Sequence, residues 1–193
     1  MDKLAEMLKS LELDQQLNIE EIPTIDLYMD QVTQLFERAY GEGKRKPDDK
    51  ILTKTMINNY AKGKLLFPIK NKKYSKEHVM LINMIYQLKG TLSINDVKDV
   101  LDPLNTQTEA EPEKLSSVYE DYLSVVHKSH ERLMNEVDIL VQDVQDKKKD
   151  NSDLNSDYLE QFLLIASFAH MSNSYRKMAE KLVDELEEKH EKK

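Results

Sequence analysis

Between Leu52 and Leu101 the chain reads LTKTMINNYAKGKLLFPIKNKKYSKEHVMLINMIYQLKGTLSINDVKDVL. Apolar residues recur at helical spacing in three blocks, separated by a basic stretch and a short turn. The order helix, basic loop, helix, turn, helix admits few compact arrangements. The same region reverses the charge of the protein. From Lys44 to Lys76 there are eleven Lys or Arg and two acids, Asp48 and Asp49, a local charge of +9. The whole chain carries −8, so the remainder carries −17. Crowded like charges repel one another unless a polyanion neutralises them. A solvated lysine-rich face is the plain alternative. Placement of the charges beside a turn and a helix start favours a nucleic-acid contact.

Composition narrows the classes further. The 193 residues suffice for one or two domains, and 39% hydrophobic against 33% charged residues permits a modest core. There is no cysteine, so disulfides, thiol nucleophiles and thiolate metal sites are excluded. That suits a cytoplasmic protein. No apolar run approaches the roughly 20 residues that span a bilayer. The N-terminal MDKLAEMLKSLELDQQ lacks the basic and apolar regions of a secretory signal. Net acidity argues against indiscriminate coating of DNA and leaves room for one local basic site.

Periodicity and caps divide the chain. Residues 1–22 read as a helical arm, with Leu4, Leu8 and Leu11 on one face of a helix over 2–17. Residues 23–104 read as one domain. Its first helix is expected over 25–39, capped by Thr24, with Asp26 in the first turn and Ile25, Tyr28, Val32, Leu35, Phe36 and Ala39 as the apolar stripe. A charged loop follows over 41–50. The second helix is expected from Thr53 to Gly63, with Gly63 in the left-handed region. Residues 65–74 are expected to be extended, with a hairpin tip at Asn71. Ser75 caps a helix over 76–89 whose apolar face is too broad for a surface helix, which places it centrally. Ser93 and Asp96 make a capping box for a short helix to Leu101. The polar stretch 105–113, between Pro103 and Pro112, reads as a linker. Residues 114–193 read as two long helices with narrow apolar stripes, an antiparallel hairpin that pairs with a second copy.

The recognition surface is legible on the second helix. At about 100° per residue, Met56, Ile57 and Tyr60 fall on one face and Thr55, Asn58 and Lys62 on the opposite one, with Asn59 at its edge. Asn suits the adenine edge, Thr touches a thymine methyl, and Lys serves phosphate or guanine. An ordinary polar surface is the alternative, but the basic wing just beyond favours recognition. The candidate DNA-contacting residues are therefore Lys54, Thr55, Asn58, Asn59, Lys62 and Lys64 of this helix and its end, and Lys70, Asn71, Lys72, Lys73 and Tyr74 of the wing.

Thr55-Met56, Gly63, Leu65-Leu66, Pro68, Tyr74-Ser75, Val79, Ile82, Leu88, Leu92-Ser93, Val97 and Leu101 together resemble the winged helix-turn-helix of the mercury-resistance-regulator (MerR) family. The likeness runs from Thr55 to Leu101 and keeps the order recognition helix, wing, helix, short helix. The chain resembles still more closely an uncharacterised MerR-like domain family of low-GC Gram-positive bacteria, the YkrK type. There the Ile22-Pro23-Thr24 segment, the inserted loop and the helical C-terminal half also occur. The resemblance implies an all-α fold: a winged helix-turn-helix followed by a long two-helix antiparallel dimerisation module. It implies a dimeric DNA-binding transcription regulator. Two departures limit what carries over. Ile57-Asn58-Asn59 stands where MerR proteins carry Arg-Tyr-Tyr, so the phosphate contacts of that motif do not transfer. The thiolate ligands of the metal-sensing members are absent.

Other candidates are weaker. His127 and His130, with Glu131, share one helix turn and resemble half a metal site, but no fourth ligand is apparent and a solvated surface is the simpler reading. His78 is expected at the surface, and His170 as a packed histidine. Tyr119, Tyr122, Tyr158 and Phe162 suit either an effector pocket or, by default, a dimer core. No nucleophile–base pair or phosphate loop stands out, so no enzyme, metal or cofactor is expected. The sequence thus points to a sequence-specific repressor that binds double-stranded DNA as a homodimer through residues 114–190. A protein-binding adaptor or antirepressor that keeps the helix-turn-helix fold is the rival.

Overall fold

The computed structural model describes residues 7–8, 11–150 and 156–191. The described chain is mainly α-helical, with one small antiparallel sheet. Strand β1 (Leu27–Tyr28) leads into helix α1 (Met29–Tyr40). Helix α2 (Lys54–Lys62), strand β2 (Lys73–Tyr74), and helices α3 (Lys76–Leu88) and α4 (Ile94–Ala110) follow. Two long helices, α5 (Lys114–Asp150) and α6 (Ser156–Glu191), complete the described chain. The protein divides into two compact units, Met1–Val125 and Val126–Lys193.

The first unit is built on α3. Every residue from His78 to Ile85 is buried, so this helix is enclosed on all sides, as its broad apolar face requires. Against it the core collects Val32 and Phe36 of α1, Ile57 and Tyr60 of α2, and Val97 and Leu101 of α4. Local signals set three of the helix starts. The Thr53 hydroxyl accepts the Met56 N–H at 3.1 Å, Ser75 caps α3, and Ser93 and Asp96 form a reciprocal box at 3.2 and 3.0 Å.

The chain departs from expectation where distant residues intervene. Part of the expected 2–17 helix lies outside the described residues. Within them Met7 and Leu8 are helical, but residues 11–14 form a turn and 15–18 are irregular. Glu12 has φ of 45°, which no right-handed helix tolerates. Helix α1 starts at Met29 rather than near Thr24, because Leu27 and Tyr28 stay extended to pair with Tyr74 and Lys73. Ile25 and Tyr28 are consequently exposed, not part of the buried stripe. Gly63 has φ of −73°, and the left-handed residue is Lys64, at 60°. The Lys64 and Leu65 N–H groups bond the carbonyls of Ala61 and Tyr60 at 3.1 and 3.0 Å, a Schellman end to α2. A Cβ at Gly63 would lie 2.8 Å from Leu65 Cδ1 and 3.1 Å from the Asn59 carbonyl oxygen, so the Leu65 side chain would have to shift.

The expected linker over 105–113 is helix for most of its length. Helix α4 runs through Pro103 to Ala110, because Asn105 and Thr108 are buried and hold the helix to the core. One lost backbone hydrogen bond at the proline is outweighed by that packing. The first turns of α5 also belong to the first unit. Leu115 is 1% exposed and Tyr119 is fully buried, where the sequence had assigned them to a dimerisation module. A closed ring of hydrogen bonds fixes Tyr119. Leu17 N–H donates to the Tyr40 hydroxyl at 3.0 Å, which donates to Asn83 Oδ1 at 2.6 Å. Asn83 Nδ2 donates to the Tyr119 hydroxyl at 2.7 Å, which returns to the Leu17 carbonyl at 2.6 Å. Burial raises the pKa of both Tyr40 and Tyr119, so the hydroxyls remain donors.

The second unit comprises α5 from Val126 onward and α6. Among the described residues it buries Val137, Val144 and Val183. Many of its larger apolar side chains are exposed, among them Ile139, Phe162, Ile165 and Met178. No helix of the described residues is long and apolar enough to cross a membrane.

Candidate nucleic-acid interface

Helix α2 presents the face that its periodicity dictates. Ile57 and Tyr60 are buried, and Lys54, Thr55, Asn58, Asn59 and Lys62 are exposed. Its Schellman end turns the chain back beneath the helix and leaves Lys64 exposed. The Lys64 carbonyl receives a long 3.5 Å contact from Asn105 Nδ2, so α4 braces the end of α2. Asn105 lay in the expected linker, and nothing local in the sequence marked it as a support.

The segment expected as a wing is a tight turn rather than an extended hairpin. Lys70 and Lys73 form a bridge, and the Lys73 N–H bonds the Lys70 carbonyl at 3.0 Å. Asn71 and Lys72 at the tip have φ of 53° and 57°, the pair of left-handed residues that a type I′ turn demands. Lys70, Asn71 and Lys72 are exposed. The second strand at this place comes from β1, which pairs with β2 beside the turn. The Lys73 ammonium lies 5.2 Å from the centroid of the Tyr28 ring, a cation–π contact that draws it off the tip. Tyr74 is 3% exposed and supports the wing from within, so it does not project outward as a DNA contact.

His78 anchors the wing to the core. The sequence had it facing solvent, yet it is 3% exposed. Its Nε2 donates to the Phe67 carbonyl at 3.2 Å, and its Nδ1 accepts the Ser75 N–H at 3.2 Å. Its ring packs on Phe67 with centroids 3.7 Å apart. The two backbone partners bracket the wing, so one imidazole clamps both ends of the loop. Burial holds its pKa below the usual histidine value, partly offset by the Phe67 carbonyl and the charges of Glu77 and Asp26.

Helix and wing meet over one cavity of about 540 Å³, lined by Tyr28, Asp30, Asn58, Ile69, Lys72 and Tyr74 among others. The structure thus brings Asn58 and Lys72 to the same groove. Lys62, Lys64, Lys70 and Lys72 make no ion pair among the described residues, whereas Lys54 pairs with Asp30. Tyr28 and Asp30 were not foreseen at the site, since the helical register alone does not say what lies opposite α2. The weaker candidates do not assemble. His127 Nε2 lies 3.7 Å from Glu131, both exposed, and no group of three metal-ligating side chains occurs among the described residues. Tyr158 and Phe162 stack on each other at the surface of the second unit, whereas Tyr119 is committed to the ring in the first.

No curated protein and no solved structure matches the chain. A family model described as a domain of unknown function, DUF1836, matches residues 17–122. The match begins at Leu17 and ends just beyond Tyr119, the two residues whose hydrogen bond closes the ring of the first unit. It takes in more than half of the chain, α2 and the wing included, and the protein belongs to the DUF1836 domain family.

Proposed function

We propose that the protein is a sequence-specific DNA-binding transcription regulator, with α2 as recognition helix and the 70–73 turn as the wing of a winged helix-turn-helix. The reading rests on one arrangement: an exposed polar face of α2 and a lysine-bearing turn border the same groove. Asn58 and Thr55 read base edges in the major groove. Lys62, Lys70 and Lys72 neutralise phosphates on either side. The exposed apolar side chains of α6 support self-association through the second unit, from Val126 onward, which sets two recognition helices on two half-sites. Occupancy of a promoter by such a dimer represses by blocking polymerase.

The test is selection from random duplex DNA with the full-length protein, followed by binding across a salt series. Recovery of a two-fold-related site and a steep linear decline in log–log form support the reading. Asn58→Ala then costs about 1–3 kcal/mol on the selected site and relaxes one base position. Failure to retain any duplex at any salt overturns it. The exposed apolar residues of α6 would then favour the rival reading, an adaptor that docks another protein.

A further inference from the structure

Among the described residues, Asp30 is the one acidic side chain lining the groove between α2 and the wing. Its carboxylate pairs with the ammonium of Lys54, the first residue of α2. Asp30 also lies in the first turn of α1, where an acid favours the helix dipole. That role needs neither a partner on another helix nor a place in the groove. Both side chains of the pair are more than half exposed, so the contact adds little to stability. Its electrostatic effect on a polyanion is larger. The carboxylate holds the Lys54 ammonium and so cancels one cation at the start of α2. That leaves untouched the hydroxyl and amide groups of Thr55 and Asn58 that read bases.

We infer that Asp30 limits phosphate-driven binding: by holding Lys54 it lowers the affinity for every duplex, so that retention depends on base contacts made by the uncharged groups of α2. This inference rests on the proposed DNA-binding function and says how that site limits its hold on the wrong duplex. The penalty falls on phosphates, which every duplex carries alike, so it scales all affinities by one factor and leaves their ratio to the base contacts. On the selected site, base contacts compensate for the unfavourable charge. On other sequences nothing does.

The experiment uses full-length protein, the selected duplex and a scrambled duplex, with fluorescence anisotropy across a salt series. The variants are Asp30→Asn, Asp30→Ser, Lys54→Ala and the double variant Lys54→Ala/Asp30→Asn. Serine also suits a helix start, and circular dichroism establishes that each variant is folded. Glu20→Gln, a change of the same charge at an exposed loop residue, controls for net charge. Asp30→Asn and Asp30→Ser are expected to tighten scrambled duplex severalfold and to steepen its salt slope by about one. The selected duplex tightens by a similar factor. In the Lys54→Ala background the added slope disappears, and Glu20→Gln leaves both affinities as they were. The inference is overturned by an unchanged scrambled affinity, by an equal tightening for Glu20→Gln, or by steepening that persists without Lys54. A wild-type protein that binds neither duplex overturns the DNA-binding reading itself, and the role of Asp30 with it.

Discussion

In the first unit, apolar side chains close upon each other: Val79, Leu81, Ile82 and Ile85 of α3 are fully buried. In the second, Tyr158, Ile165 and Leu182 of α6 are each more than 60% exposed, and among the described residues the buried apolar side chains are Val137, Val144 and Val183. The first unit has several helices and a polar ring with which to enclose a core. The second has two long helices, and each carries more apolar surface than one neighbour covers. A structure that is complete within one chain thus stands beside one whose sequence provides for further contact. Under the proposed function, the first serves as a rigid support for α2 and the 70–73 turn and the second as a surface for association.

The contrast is sharpest at Asn83. Asn83→Ala strips two buried tyrosine hydroxyls, those of Tyr40 and Tyr119, of a partner. The expected cost is about 3 kcal/mol, seen as a lower urea midpoint for the first unit. A cost below about 0.5 kcal/mol would show that the ring is not a structural element.

The complementary change is Phe162→Ser with Ile165→Ser. Both residues are exposed, so the stability of the first unit should move by less than about 0.5 kcal/mol. Sedimentation should show at least a roughly tenfold weaker self-association, the loss expected when one buried large side chain is removed. Unchanged association combined with a destabilised first unit would erase the distinction between the two regions.

A smaller effect is expected from acid. The pKa of His78 is held below its ordinary value in the folded protein, so the unfolded chain binds the proton more readily. The stabilising contribution is therefore full above the unfolded value near 6.5 and is lost as pH falls below it. Thermal unfolding of the wild type should weaken across that window. His78→Gln keeps an acceptor for the Ser75 N–H and should flatten the profile. An equally steep profile in the variant would assign the dependence elsewhere.

The smallest effect concerns Lys64, whose positive φ suits glycine. Lys64→Gly should raise the stability of the first unit by about 0.5 kcal/mol, read from a thermal melt. A loss of similar size would mean that the side chain contributes packing that the turn geometry does not reveal.

Local features were legible in the sequence. Thr53, Ser75 and Ser93 announce helix starts because a cap needs only residues three positions away. The inward and outward faces of α2 follow from its period, so Ile57 and Asn58 were assigned to opposite sides. What depended on distant partners was not legible. Thr24 and Asp26 have the chemistry of a helix start, but pairing of Leu27 with Tyr74 keeps the chain extended there. Pro103 has the chemistry of a break, but burial of Asn105 carries α4 past it. His78 looked polar and exposed until Phe67 supplied a carbonyl and an aromatic face. At the candidate site the lysines and Asn58 were named in advance. Asp30 was not, since only the fold sets the start of α1 against the start of α2.

The bond between the Tyr119 hydroxyl and the Leu17 carbonyl joins residues 102 positions apart. A nascent chain that has been translated through α4 therefore still lacks the closing piece of its core. Contacts of such long range delay folding, and the apolar faces of α3 stay uncovered meanwhile. Biogenesis of this protein should lean on chaperones until the first turns of α5 emerge. A chain cut after α4 loses the Tyr119 hydroxyl that accepts from Asn83 and donates to the Leu17 carbonyl, so its first unit should be less stable than that of the full chain.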